Sequence, residues 1–200
     1  MDKRLPNEDI NWSKVWESIN NPITTEETKT IIWQQIHLNE YTTSSYNIWH
    51  RAQQRCPLCT NVPENRFHIT IECPILIPIW TELETILQNV HPAYVDNYER
   101  VFGMVGNTPN IILRNWLRFL LRHCIVQQEN IAYHNKRGKL NVIDIKLAYN
   151  KMVKREVWLK YNIFKNLGQL DKFQSIFAIN DYLIAWQDDQ WQIITPFKLK

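Results

Sequence analysis

The 200-residue chain is 44% hydrophobic and 12% aromatic, which is enough to bury a core in one domain or two small ones and argues against disorder. It has no apolar run of about 18 residues and no apolar segment behind a basic start, so we expect neither a membrane span nor a signal peptide. The composition therefore predicts an intracellular protein, nuclear or cytoplasmic and not secreted, in which clustered cysteines indicate metal binding rather than disulfides.

The net charge of +3 conceals a basic middle of the chain. Residues 1–99 carry 7 Lys/Arg against 13 Asp/Glu, residues 100–172 carry 14 against 4, and residues 173–200 carry 2 against 3. An excess of positive charge in one segment favours an anionic partner, and pairing with the acidic first half is the alternative.

The first helix is predicted in TTEETKTIIWQQIHL, where Thr24 and Glu27 have the spacing of a capping box. A second, shorter helix is predicted in SSYNIWHRAQQ, with Ser44 or Ser45 as its cap. Both precede a segment that is rich in cysteine and proline.

Three of the four cysteines and one histidine lie within RCPLCTNVPENRFHITIECP, with the spacing Cys56-x2-Cys59-x8-His68-x4-Cys73. Two cysteines separated by two residues can direct both thiolates to one point, and a second pair after a short loop completes a tetrahedron. Four protein ligands leave no open coordination position, so the pattern predicts one structural Zn²⁺ rather than a catalytic one. The alternative is that four such residues cluster by chance.

Helical spacing of apolar residues returns in IWTELETILQNV, residues 79–90. The following HPAYVDNYERVFGMVGNTPN holds two of the four glycines together with two prolines, which is typical of a connection. We therefore predict two domains: residues 1–100 with the N-terminal helices and the zinc-binding segment, and residues 101–200 with the remainder.

Two long helices are predicted next, in NIILRNWLRFLLRHCIVQQENIAYHNK and NVIDIKLAYNKMVKREVWLKYNIFKN, ending near Gly138 and Gly168 and forming a basic helical hairpin. The apolar face of the second helix is expected to include Trp158. Cys124 falls on the apolar face of the first helix, where a buried free thiol is expected.

Basic residues recur along this hairpin, and those of the first helix form a stripe at intervals of four residues. Like charges at that spacing cost stability, so a stripe without acidic partners indicates binding to phosphates. The predicted nucleic-acid contacts are Arg114, Arg118, Arg122, Lys136, Arg137, Lys139, Lys151, Lys154 and Arg155, with Arg55 and Arg66 as minor contacts.

The last segment, YLIAWQDDQWQIITPF, has two apolar runs around a polar centre and predicts a short β-hairpin. Its Asp188 and Asp189, taken with Asp144, superficially resemble a carboxylate set for two metal ions. We reject that reading, because the two segments are too close in sequence and Asp144 falls in a basic helix. A polar turn explains QDDQ, and no other catalytic motif is present.

The cysteine-rich segment resembles the zinc-binding C-terminal region of reverse transcriptases from non-LTR (LINE-type) retrotransposons. The resemblance rests on CPLC, PENRFH and ITIECP, with Glu64, His68, Cys73-Pro74 and Trp80 in the places of the family pattern. Thr60 departs from it, because glycine often follows the second cysteine. Helical flanks extend the weaker part of the resemblance to residues 30–165.

The resemblance implies a non-catalytic part of a longer polyprotein that follows the polymerase domain and helps engage template RNA or target DNA. From the sequence we thus expect a mainly α protein, with helices around a small zinc-bound loop, a long basic helical hairpin and a short C-terminal β-hairpin. The expected function is binding of RNA or DNA, mainly through phosphates. A zinc-stabilised protein–protein interaction module is the alternative.

Overall fold

The computed structural model describes residues 11–36, 56, 58–59, 68, 72–92, 97–134, 141–187 and 190–198. The helices in these ranges are α1 (Trp12–Ile19), α2 (Glu26–Ile36), α3 (Ile77–Val90), α4 (Asn97–Phe102), α5 (Pro109–His134), α6 (Val142–Asn166) and α7 (Leu170–Phe177). Two strands follow, β1 (Ile184–Gln187) and β2 (Gln190–Ile193). The predicted mainly α fold with a C-terminal hairpin is confirmed. The short helix predicted in SSYNIWHRAQQ lies outside the described residues.

Helices α5 and α6 pack against each other and form the centre of the fold. The buried Tyr149 of α6 crosses this interface and donates its hydroxyl hydrogen bond to the backbone oxygen of Leu117, at 2.9 Å. Asn141 caps α6 by accepting from the backbone N–H of Ile143 at 3.0 Å. The predicted pair of long helices is therefore present.

Helix α6 ends at a glycine, as its sequence predicts. Gly168 has a φ of 66°, in the left-handed region that side chains disfavour. Its N–H donates to the oxygen of Lys165 at 3.1 Å, and the N–H of Gln169 donates to the oxygen of Phe164 at 2.8 Å. These two bonds form a Schellman motif, which satisfies the last carbonyls of the helix and turns the chain into α7.

The cap of α2 lies one residue later than the capping box predicts. Thr25, not Thr24, accepts from the backbone N–H of Thr28, at 3.3 Å. The side chain of Thr24 is instead buried. Because the helix begins at Glu26, the expected Thr24–Glu27 pairing is wrong and the threonine beside it serves as the cap.

The segment predicted as a connection contains α4 and contributes to the core. Val101 and Phe102 are buried together with Val15, Ile19 and Phe119. A separate, larger cluster extends from Ile23 through the cysteines to Phe197. Residues from both sides of the predicted boundary at residue 100 thus pack in shared clusters.

Gly103 makes the approach of α4 to its neighbours possible. It has a φ of 83°, and a Cβ atom there would lie 3.0 Å from both Phe119 Cζ and Ser18 Oγ. The hydroxyl of Ser18 donates to the backbone oxygen of Phe102, which ties α1 to the end of α4. A side chain at residue 103 would be strained by this positive φ and would crowd Phe119 and Ser18.

The C-terminal hairpin is antiparallel, with Ile184 opposite Ile193 and Trp186 opposite Trp191. The chain after β2 attaches to α6 through Asn150, whose amide donates to the oxygen of Phe197 at 2.7 Å and accepts from its N–H at 3.1 Å. The predicted hairpin is therefore present and docked. Its QDDQ turn falls partly outside the described residues.

Among the described helices, none combines the length and the apolar character that crossing a bilayer would need.

Candidate metal centre

The four predicted ligands converge at the N-terminal end of α3. Cys73 lies four residues before this helix, and its oxygen accepts from the N–H groups of Leu76 and Ile77, each at 2.9 Å. Its own N–H donates to the oxygen of His68 at 2.5 Å. The start of a regular helix thus fixes one ligand, and a backbone bond places the histidine beside it.

The ligand atoms of Cys56, Cys59, His68 and Cys73 all lie within 4.8 Å of one another. The sulfur atoms of Cys56 and Cys73 are 3.9 Å apart, and Cys59 Sγ lies 3.2 Å from His68 Nε2. A disulfide needs about 2.05 Å, whereas metal–sulfur bonds of about 2.3 Å place tetrahedral ligands roughly 3.7 Å apart. The arrangement fits a four-ligand metal ion and excludes a disulfide between Cys56 and Cys73.

All four side chains are buried. Burial and the contacts among them shift the pKa values of His68, Cys56 and Cys73. Burial lowers the pKa of His68, with Glu72 opposing the shift, so the imidazole is neutral and can act as a ligand. The hydrogen bond from Cys56 lowers the pKa of Cys73, and the same contact raises the pKa of Cys56. Cys73 thus loses its proton more readily than Cys56 does, and a cation among the sulfurs would favour the thiolate form of all three cysteines.

The cysteines belong to the larger core cluster rather than to a surface loop. Leu58, Leu76 and Trp80 are buried in the same cluster, which also includes Ile23 from the N-terminal region. A bound ion would therefore join the segment between α2 and α3 to the apolar core.

The arginines predicted to form a phosphate-binding stripe on α5 are inside the protein. Arg114, Arg118 and Arg122 are buried, with exposed fractions of 0%, 0% and 2%. Arg118 donates two hydrogen bonds to the carboxylate of Glu84 on α3, at 2.7 and 2.8 Å, and Arg114 donates to the same carboxylate at 3.3 Å. The prediction of phosphate contacts for these three residues is wrong, because their guanidinium groups are buried between α5 and its neighbours α3 and α4.

Two of these arginines also bind backbone oxygens at the ends of neighbouring helices. Arg114 donates to the oxygen of His91 just after α3, and Arg122 donates to the oxygen of Val101 in α4. Such bonds satisfy carbonyl groups that a helix end leaves open. The stripe therefore holds α3, α4 and α5 together.

Glu84 is the acidic partner that the sequence interpretation missed. Burial raises its pKa, but the hydrogen bond from Arg118 and the charges of Arg118 and Arg114 outweigh that effect, so the pKa lies below its usual value. Glu84 lies four residues after Trp80 and therefore on the apolar face of α3. An acidic residue on an apolar face is the sequence feature that could have indicated a buried basic partner. A second signal is that α5 is apolar on nearly every side around its arginines.

The remaining basic predictions divide into two groups. Arg55, Arg66, Lys136, Arg137 and Lys139 lie outside the described residues. The second group is exposed on α6 and defines the basic face: Lys151, Lys154 and Arg155. Within the ranges that the structure describes, no carboxylate forms an ion pair with these three side chains.

Trp158 is not part of the apolar face of α6, contrary to prediction. Its side chain is 60% exposed, one turn beyond Lys154. Cys124, by contrast, is buried and free as predicted, and its thiol lies 3.7 Å from the oxygen of Ile145. Burial raises the pKa of Cys124 to about 12, so this thiol stays protonated.

Comparisons with protein-family models, with curated proteins and with solved structures each find no match to this chain.

Proposed function

We propose that this chain is a zinc-stabilised helical module that binds nucleic acid through the basic face of α6. The proposed metal is zinc, because three thiolates and one imidazole in a closed tetrahedral arrangement suit its ligand preferences. Zinc would stabilise the fold through Cys56, Cys59, His68 and Cys73. With four protein ligands there is no place for a reacting water, so the proposed role is binding and not catalysis.

The observation that supports nucleic-acid binding is the exposed charge of α6. This helix carries six Lys/Arg against two acidic residues, and one of the two acids, Glu156, is buried. Lys146 pairs with Glu82 of α3, which leaves Lys151, Lys154 and Arg155 as the exposed cations of the central turns. Three cations on adjacent turns, without carboxylate partners in the described part of the chain, repel one another and would be stabilised by phosphates.

Binding of labelled DNA and RNA at several salt concentrations tests this proposal. On duplex DNA the logarithm of the association constant should fall with the logarithm of salt by about 0.9 per neutralised phosphate. Replacing Lys151, Lys154 and Arg155 by alanine together should weaken binding and reduce that slope by roughly 2.7. Lys14→Ala, which removes an exposed cation from α1, is the matched control and should bind like the wild type. Equal binding by the triple variant and the wild type would contradict the proposal.

We further propose that the chain derives from the C-terminal region of a LINE-type reverse transcriptase and works beside a polymerase domain in a longer polyprotein. The support is the resemblance of CPLC, PENRFH and ITIECP, with Trp80, to that family's zinc-binding segment. Sequencing the transcript upstream of Met1 tests it. An in-frame polymerase is expected, and an intervening stop codon with an unrelated upstream gene would argue against it.

A second candidate function is protein–protein interaction. Its specific support is the number of apolar side chains exposed along α6 and just after it: Ile143, Leu147, Trp158, Ile163 and Leu167. Exposed apolar surface of this extent favours an interaction site. Binding of a protein partner that survives nuclease treatment and is lost in Ile143→Asp/Leu147→Asp would favour this candidate.

A further inference from the structure

Trp158 lies in the middle of the exposed cations of α6. At about 100° per residue, Lys151, Lys154 and Lys165 project within roughly 40° of the direction of Trp158. Along the axis they lie about 10 Å before it, about 6 Å before it and about 10 Å after it. The helix thus presents one large aromatic ring between positive charges.

More than half of the Trp158 side chain is uncovered. Its side chain is 60% exposed, the highest exposure among the tryptophans that the structure describes. Trp116 is fully buried against Phe177, and Trp12 stacks on Trp16. Trp158 makes no such ring contact within the described residues. Leaving an indole in water is unfavourable, so a ligand that covers the ring would gain free energy.

The surrounding charge identifies the kind of ligand that fits. An apolar protein partner would have to desolvate Lys151, Lys154 and Lys165 without pairing them, which is costly. A strand of nucleic acid offers phosphates to the cations and the flat face of a base to the indole. In a duplex the base faces are stacked on one another, so a base can cover the ring only where it is unpaired.

We infer that Trp158 is a base-stacking residue, and that the basic face of α6 therefore prefers single-stranded RNA or DNA to duplex. The inference rests on the proposed nucleic-acid binding and specifies its substrate class. Lys151 and Lys154 contact phosphates on one side of the stacked base, and Lys165 contacts phosphates on the other. Sequence preference is weak, because every base has a face on which the indole can stack.

Fluorescence anisotropy with labelled oligothymidylate, oligouridylate and duplex DNA of equal length tests the inference. The wild type should bind the two single strands more tightly than the duplex. Trp158→Ala should weaken single-strand binding roughly tenfold or more and change duplex binding little. Trp158→Phe should retain most of the single-strand affinity, whereas Trp158→Leu, apolar but without a π face, should behave like Trp158→Ala.

Two further variants distinguish base stacking by Trp158 from nucleic-acid binding by the basic face of α6. Leu147→Ala removes another exposed apolar side chain from the same side of α6 and should bind all three probes like the wild type. The Lys151, Lys154 and Arg155 triple alanine variant should lose affinity for all three probes. Because Trp158 is exposed, Trp158→Ala should unfold at the same urea concentration as the wild type, which confirms that any loss is local.

The outcomes are distinguishable. If the triple variant loses affinity while Trp158→Ala keeps its single-strand binding, the basic face binds nucleic acid but the stacking role is refuted. If Trp158→Leu binds the single strands like the wild type, the contact requires an apolar side chain and not an aromatic ring. The stacking role is then refuted. If the wild type binds none of the probes, both the inference and the proposed function fail.

Discussion

Glu84 of α3 binds Arg118 of α5 through two hydrogen bonds in the protein interior, from Nε to Oε1 at 2.7 Å and from Nη2 to Oε2 at 2.8 Å. Arg114, one turn earlier on α5, shares the same carboxylate. Glu84 thus pairs with two buried cations at once, and the charge of Glu99 also favours the charged form of Arg114.

Replacing Glu84 by glutamine should strongly destabilise the protein. Arg118 would lose its counter-charge and Arg114 would lose part of its own, and breaking such a buried pair costs roughly 3–5 kcal/mol of unfolding free energy. Urea denaturation measures it. The matched control is Glu82→Gln, which breaks the partly exposed pair between Glu82 and Lys146 and should cost about 1 kcal/mol or less. Similar losses in the two variants would contradict the role assigned to Glu84.

His123 predicts a pH dependence of stability. Burial lowers the pKa of this imidazole, with Glu27 opposing the shift and Arg155 adding to it, and its Nδ1 lies 2.9 Å from the hydroxyl of Thr28. Because the folded pKa is lower than the unfolded value of about 6.5, the unfolded chain binds the proton more readily. The stabilisation is present above about pH 6.5 and is lost as the pH falls from there through the folded pKa.

Urea unfolding at about pH 7.5 and about pH 5.5 checks this for the wild type and for His123→Gln, whose side chain does not titrate. The metal ligands titrate in both proteins, so the difference between the two isolates His123. The wild type should lose more stability between the two pH values than the variant does. Equal losses would show that His123 contributes nothing to the pH dependence.

The thiol of Cys124 should be unreactive in the folded protein. Its pKa of about 12 and its burial leave almost no accessible thiolate at neutral pH. Alkylation with iodoacetamide, followed by peptide mass spectrometry, should modify Cys124 only after unfolding. Chelation of the metal should expose Cys56, Cys59 and Cys73 to the reagent earlier. Labelling of Cys124 as fast as in urea would contradict its buried position.

The cap of α2 gives a smaller prediction. Thr25→Ala removes the side chain that accepts from the N–H of Thr28 and should cost about 1 kcal/mol of unfolding free energy. Thr24→Val keeps the shape of the adjacent threonine, whose hydroxyl has no hydrogen-bond partner among the described residues, and should cost less. Urea denaturation compares the two. A larger loss in Thr24→Val would restore the capping box that the sequence suggests.

Local patterns predicted those features of the fold that depend on neighbouring residues. The spacing of Cys56, Cys59, His68 and Cys73 predicted their convergence, because cysteines two residues apart can direct both thiolates to one point and a second pair after a loop completes the ligand set. Gly168 likewise marked the end of α6, since the left-handed conformation there favours glycine. The periodic apolar residues of α5 and α6 predicted two long helices.

Features that depend on distant partners were not predictable in the same way. The arginines of α5 have the spacing of a solvated stripe, and their partners in the interior are distant in sequence: Glu84 lies 30 residues before Arg114, and Val101 lies 21 residues before Arg122. Trp158 has an apolar side chain at a helical interval, yet α6 has more apolar positions than its neighbours can cover. Periodicity alone does not decide which of them stays exposed.

Zinc content tests the proposed metal centre most directly, because the four converging ligands should hold one ion. Elemental analysis of the purified chain should give one zinc per chain in the wild type and in Cys124→Ser, whose cysteine lies away from the centre. Cys56→Ser should lose most of the zinc and unfold at a lower urea concentration. A wild type without zinc, or a Cys56→Ser variant with a full equivalent of it, would contradict the assignment.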